Sequence, residues 1–273
     1  MLLVIDIGNT NVVFGLYDGE TLTHTFRMAT VHTRTEDEYG ALLLQLLQLR
    51  GLPVNCVECA ILASVVPPLT DVMIDAVRSA FAREPLVVGP GLKTGIPVLY
   101  ENPRDVGADR VVNAVAAFER YKEATIVVDF GTATTFDCIS PKGEYLGGVI
   151  VPGMRISLDA LLDRAAKLSR IELSAPPRVL GRNTTHALQS GLIFGHASMV
   201  DGMIERLEQE AGYPSRVIAT GGLSGLVSKH ARRIEAVDVN LTLEGLRILH
   251  ERNVQGADSR ANNVKRSRAP KNS

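Results

Sequence analysis

Residues 2–22 read LLVIDIGNTNVVFGLYDGETL, and residues 125–145 read TIVVDFGTATTFDCISPKGEY. Laid side by side, Asp129 falls on Asp6 and Gly131 on Gly8, an interval of 123 residues. Each stretch opens with an apolar run that ends in Asp-x-Gly. It then passes through a turn of small polar residues and enters a second run able to pair back on the first. The chain therefore reads as internally duplicated. The expected architecture is α/β, with two similar lobes, each a mixed sheet flanked by helices, facing a central cleft.

Outward from the first copy, a third run from Leu22 to Met28 predicts an antiparallel meander. Thr35 with Glu38 three residues later has the capping-box pattern ahead of YGALLLQLLQLR, and Gly51 ends that helix. CAILASVV reads as a buried strand, and Pro67 and Pro68 open a helix that continues from Leu69 to Ala82. A Gly- and Pro-rich loop from Gly89 to Gly107 leads to a helix over 109–121. The second copy continues with a strand over 145–151, a helical pattern over 185–211 and the strand RVIATGG. Lobes are expected over 1–117 and 118–252. The stretch 253–273, rich in Asn, Ser, Ala and basic residues without apolar periodicity, is expected to be a disordered tail.

The formal net charge is −1 and the sequence pI is near 6.6, which gives no electrostatic ground for nucleic acid or an anionic membrane as partner. Asp6 interrupts the first apolar run too early for a signal peptide or a membrane span, so a cytoplasmic location is expected. Cys56, Cys59 and Cys138 are few and odd in number, with no export signal expected, which argues against a disulfide framework, and Cys59 enters an apolar run, so the Cys56–Cys59 pair reads as structural. The six histidines show no metal-ligand spacing.

Three motifs carry chemistry. In Asp6-Ile7-Gly8-Asn9-Thr10-Asn11, Gly8 admits a phosphate to the backbone and the amide and hydroxyl side chains can donate to it. Asp6 can hold hydrated magnesium. A tight hairpin capped by its own Asp reads equally well for one copy. The second copy, Asp129-Phe130-Gly131-Thr132-Ala133-Thr134-Thr135, makes that reading much harder to sustain. Ala219-Thr220-Gly221-Gly222-Leu223-Ser224-Gly225 is a glycine turn between strand and helix against which a base or ribose can lie. Neither a Walker A sequence nor a Rossmann fingerprint stands where it would be needed.

The trio DIGNTN, DFGTATTFD and ATGGLSG resembles the phosphate-1, phosphate-2 and adenosine motifs of the acetate and sugar kinase, Hsp70 and actin superfamily. YENPRDVGADRVVNA and LGGVIVPGM resemble the type III pantothenate kinases in particular, and the likeness runs from Met1 to about His250. It implies duplicated ribonuclease H-like (actin-like ATPase) lobes and transfer of phosphate from ATP to the primary hydroxyl of pantothenate, the first step of coenzyme A biosynthesis. By the same likeness, Asp6, Ile7, Gly8, Asn9, Thr10, Asn11, Val12, Val13 and Thr132 hold ATP. Tyr100, Gly107, Ala108, Asp109, Arg110 and Thr184 hold pantothenate, and Asp129 is a ligand for a monovalent cation, potassium or ammonium, beside magnesium. A homodimer with the active site near its interface is also implied.

Asp109 and Arg110 stand together after a glycine turn at a helix start, an acid partner beside a cation. Asp109, matching the family's proton acceptor, would take the hydroxyl proton. A carboxylate with a reference pKa of about 3.9 cannot ionise an alcohol beforehand, so transfer must come late. Arg110 suits either a bidentate pair with the substrate carboxylate or a brace on the transferred phosphate. Two other functions remain open on the residues: a kinase of this fold for another hydroxy or carboxylate substrate, and a non-catalytic Baf-type transcriptional accessory regulator using the basic tail.

Overall fold

The computed structural model describes residues 1–165 and 168–267. The chain resolves into two units. The first comprises Met1–Gly95, Arg104–Ala116 and the chain from Thr242 on; the second comprises Ile96–Pro103 and Ala117–Leu241.

In the first unit, β1 (Leu2–Ile7), β2 (Asn11–Asp18) and β3 (Thr21–Ala29) form the expected meander. After α1 (Glu36–Leu49), β4 (Cys59–Ser64) lies parallel to β1, and after α2 (Pro67–Phe81) the two-residue β5 (Leu86–Val87) joins β4. The sheet order is β3-β2-β1-β4-β5. The Thr35 hydroxyl accepts from the Glu38 N–H, and the Glu38 carboxylate accepts from the Thr35 N–H at 2.9 Å, closing the capping box of α1. Leu3, Ile5 and Ile7 alternate along β1 and bury against Tyr39, Leu43, Met73 and Val77 of the two helices. That alternation puts Val4 and Asp6 on the other face.

The second unit repeats the plan. Part of α3 (Ala108–Tyr121) precedes β6 (Thr125–Phe130), β7 (Ala133–Ile139) and β8 (Tyr145–Pro152), again an antiparallel meander. Next come α4 (Met154–Arg164) and the 28-residue α5 (Thr184–Ala211). Then β9 (Arg216–Thr220) lies parallel to β6, followed by α6 (Ser224–Val227) and the two-residue β10 (Ala236–Val237). The order β8-β7-β6-β9-β10 matches the first sheet strand for strand. Ile126, Val128 and Phe130 pack on Ile193, Ala197 and Val200 of α5, which leaves Asp129 on the opposite face, as Asp6 is in the first unit.

Three expectations are corrected. The hairpin turns are unequal: Asp6 pairs with Val13, whereas Asp129 pairs with Thr135, so the second turn is one residue shorter. Beyond it the interval falls to 122, and Phe14 matches Phe136, both fully buried. The chain end belongs to the first unit rather than the second. The apolar face of β1 and β2 that bears Val4 and Gly15 needs a cover, and α7 (Leu241–Ser267) supplies it. Leu243 lies over Gly15, Gly245 lies against the Val112 backbone, and the Thr242 hydroxyl donates to Asn113 Oδ1 at 2.8 Å. Finally, α7 continues past residue 253 through Ser267, where a disordered tail was expected. No proline interrupts 253–267, and a helix nucleated by buried first turns needs only one bond per added residue. Residues 268–273 of that expected tail lie outside the described residues.

Among the described residues, no helix is long and apolar enough to cross a membrane. Cys56, Cys59 and Cys138 are free, and burial pushes the Cys56 and Cys59 thiols up.

Candidate active site

Strand β1 delivers Asp6 to its C-terminal end, level with Val13 on β2 and Ala63 on β4. The turn that follows is tied down by backbone and hydroxyl bonds. The Gly8 N–H donates to Asn11 O at 3.0 Å, the Thr30 hydroxyl to Gly8 O at 2.6 Å, and the Thr30 N–H to Thr10 O at 3.0 Å. A β-carbon on Gly8 would stand 3.1 Å from Asn11 O, so the turn is tight where it must stay bare. Asn9 and Thr10 are left exposed, Asn11 and Val13 are half-buried, and Ile7 and Val12 are in the core.

The start of α3 lies at this same end of the first sheet. The Val65 N–H donates to Ile7 O at 3.0 Å, and a β-carbon on Gly107 would stand 3.7 Å from the Val65 side chain. Gly107 O accepts from the Arg110 and Val111 N–H groups, and Asp109 Oδ1 accepts from the Arg110 N–H at 2.8 Å. Asp109 is half-buried. Desolvation pushes its carboxyl above the usual carboxylate range, while the Arg110 N–H and guanidinium pull the other way. Arg110 is buried. Asp6, Gly107, Ala108, Asp109 and Arg110 are thus gathered at one edge.

In the second unit, Asp129 is level with Thr135 and Thr220. The Gly131 N–H donates to Ala133 O at 3.0 Å, and Thr132 is exposed at the tip. Two glycines not expected beside Asp129 complete this turn. Gly153 donates its N–H to Thr132 O at 3.2 Å, and its α-carbon leaves no room for a methyl beside the Gly131 and Thr132 carbonyls. Gly221 has a φ of 87° and sits against Asp129 and Phe130. Both stand in motifs already visible in the sequence, LGGVIVPGM and ATGGLSG; what the sequence does not display is that they close on one aspartate turn. Thr134 is held from behind by His196 Nε2 at 2.9 Å, and burial keeps that imidazole below its ordinary pKa. Leu223, following Gly221 and Gly222, lines a hollow of about 370 Å³ with Leu158, Leu162 and Arg155.

Tyr100 and Thr184 are not brought to that turn. Tyr100 packs over Gly147, which pairs with Cys138, six residues along β7 from Thr132 and so roughly 20 Å away. Thr184 is exposed in the first turn of α5, where Asn183 Oδ1 accepts from the His186 N–H at 2.8 Å.

Asp6 and Asp129 each place one carboxylate at the start of a turn, the oxygen donor that magnesium and alkali ions favour. No cluster of three metal-ligating side chains occurs among the described residues, so magnesium at Asp6 would complete its shell with water and phosphate oxygens, its usual habit. Gly221 packs so closely against the Asp129 carboxylate that a β-carbon there would collide with Oδ1, so only glycine keeps that aspartate in place as an ion ligand would need.

The type III pantothenate kinase family matches residues 2–206. A protein named type III pantothenate kinase from Anaeromyxobacter sp. (strain K) is 56% identical over 253 residues, 93% of this chain and 100% of the relative. One of the same name from Myxococcus xanthus (strain DK1622) is 52% identical over 93% of this chain and 99% of its own length. Among solved structures, a provisionally named Baf family transcriptional activator from Campylobacter jejuni is similar with TM-score 0.57 at 20% identity, covering 93% of this chain and 99% of that one. A provisionally named 2-dehydro-3-deoxygalactonokinase from Sinorhizobium meliloti is similar with TM-score 0.56 at 14% identity, covering 92% and 96%. At these identities the two structures speak for the fold alone.

Proposed function

We propose, from the premise that the chain belongs to the type III pantothenate kinase family, that it phosphorylates the primary hydroxyl of pantothenate with ATP. The observation that carries the reading is Asp109: an aspartate with a raised pKa, oriented by the Arg110 N–H at the same sheet edge as the Asp6 turn.

The roles follow from the chemistry. The turn from Asp6 to Val13 and the tip at Thr132 hold the ATP phosphates, and the hollow beside Leu223 offers a base both leucine side chains and the polar groups of Arg155, Asp159, Arg170 and Glu172. Asp6 would hold magnesium and Asp129 a monovalent cation, and the chemistry these ions would supply is neutralisation of phosphate charge. Asp109 accepts the hydroxyl proton as the phosphoryl group arrives, and its raised pKa brings it closer to the working pH of a base. Gly107, Ala108 and Arg110 hold pantothenate beside it. Tyr100 holds pantothenate at a point removed from the Thr132 tip, a reading supported by its packing beside Gly147. Thr184 contacts pantothenate in a homodimer. Support for self-association comes from the edge strand β8, where Ile150 is 64% exposed, and from exposed Ile156 and Leu161 of α4. The enzyme works in the cytoplasm.

The test is ADP release with ATP, magnesium and potassium in the presence of pantothenate, a hexose or acetate. Release that requires pantothenate upholds the reading. Better turnover of a sugar or acetate would transfer the assignment to another acceptor, and no turnover or nucleotide binding at all would favour the regulator.

A further inference from the structure

We propose that Tyr145 is a positioning residue that fixes Tyr100 for pantothenate, through a buried hydroxyl–carboxylate pair with Asp137. The proposal rests on the reading of Tyr100 as a pantothenate contact. All the residues concerned lie in the second unit.

Tyr145 and Asp137 are both fully buried. A carboxylate out of water is costly unless hydrogen bonds satisfy it. Asp137 Oδ1 accepts from the Tyr145 hydroxyl at 2.8 Å, and its Oδ2 accepts from the Thr135 hydroxyl at 3.3 Å. A charge-assisted bond of this kind locks the phenol ring in one orientation. The chain before Tyr100 is then fastened to that same residue. The Tyr145 N–H donates to Pro97 O and the Leu99 N–H donates to Tyr145 O, both at 2.8 Å, with Val98 bridged to Tyr145 in parallel.

The Tyr100 ring lands on the surface so prepared. Its centroid lies 6.4 Å from that of Tyr145 at an interplanar angle of 51°, a tilted aromatic pair. Beside it, Gly147 takes a φ of 130°, and a β-carbon there would already touch the Tyr100 ring at 3.6 Å. Tyr100 itself keeps 36% of its surface exposed. A tyrosine on a loop would ordinarily sample several rotamers; here the backbone leading to it, the ring beneath it and the glycine beside it are all set by Tyr145 and its neighbours on β8. Pre-setting a contact residue in this way lowers the ordering cost of binding without adding a contact. The effect therefore belongs to pantothenate affinity rather than to ATP or to the chemical step.

The experiment is steady-state kinetics of Tyr145→Phe, with pantothenate and ATP varied separately. Loss of one such bond is expected to raise the pantothenate KM about fivefold or more, with kcat and the ATP KM within about twofold of wild type. General destabilisation would not produce that split. Leu99→Pro replaces the N–H that faces Tyr145 O with a ring carbon, so it breaks that tether while leaving the Tyr145 and Asp137 side chains in place; it is expected to give the same split, so the test stands even if Tyr145→Phe does not fold. Tyr100→Ala is the reference. If it leaves the pantothenate KM unchanged, the reading of Tyr100 itself fails. If it raises that KM while Tyr145→Phe and Leu99→Pro do not, the positioning proposal is overturned and the Tyr100 reading survives.

Discussion

Gly221 and Asp129 stand closer than any side chain would permit: a β-carbon built on Gly221 falls onto Asp129 Oδ1 and within 2.7 Å of the Phe130 backbone nitrogen. With φ at 87°, the position is doubly reserved for glycine. Gly221→Ala is therefore expected to cost about 2 kcal/mol or more of stability, from left-handed strain plus displacement of β6. Urea unfolding of the two proteins measures it, and a loss below about 0.5 kcal/mol would mean the turn relaxes freely.

Asp109 yields a prediction with opposite signs for activity and stability. Its folded pKa is raised, so the folded state holds the proton more tightly and stability falls as pH rises from the unfolded carboxylate value through the folded one. Asp109→Asn keeps an acceptor for the Arg110 N–H and removes that cost, so at neutral pH it is expected to be at least as stable as wild type. Activity is expected to fall about 10²- to 10⁴-fold. In the wild type, the acid limb of kcat/KM should lie above the usual carboxylate range near 4. Thermal melts and a pH–rate profile check the two halves separately.

His196 is expected to make the second unit sensitive to acid. Burial lowers its pKa, so below about 6.5 the unfolded chain binds a proton that the folded one refuses, and stability declines as pH drops. His250 is shifted in the same direction, chiefly by burial. His196→Gln should therefore flatten the dependence of stability on pH between 7.5 and about 5 without abolishing it. An unchanged slope in urea titrations would remove His196 from the account.

The capping box supplies a stability control at a residue assigned no part in binding or catalysis. Thr35→Ala deletes the hydroxyl that accepts the Glu38 N–H and is expected to cost about 1 kcal/mol with kcat and both KM values unchanged. Chemical denaturation with parallel kinetics checks it.

Much of this arrangement was legible before any coordinates. The Asp-x-Gly duplication survives as two sheets of identical strand order, because strand alternation and glycine turns are local properties that sequence displays directly. Gly107-Ala108-Asp109-Arg110 was likewise legible as a helix start. The inequality of the two hairpin turns was not, since one residue of slack in a polar turn leaves the apolar pattern on either side intact. Nor was the return of α7 to the first unit, which depends on Leu243 meeting Gly15 across more than two hundred residues. The Tyr145–Asp137 pair was hidden for a further reason. A Tyr and an Asp eight residues apart across a hairpin carry no sign of burial, and only the register of β7 and β8 brings them together.

The most direct test of the central claim is to incubate purified protein with ATP, magnesium, potassium and pantothenate and to identify the product by mass, comparing wild type with Asp109→Asn. The account expects 4′-phosphopantothenate in equal amount to ADP from the wild type, and at least a hundredfold less from a variant that still binds ATP, in line with the loss of a general base. Equal product from both proteins would contradict the assignment of Asp109, and ADP formed without any phosphorylated pantothenate would contradict the function itself.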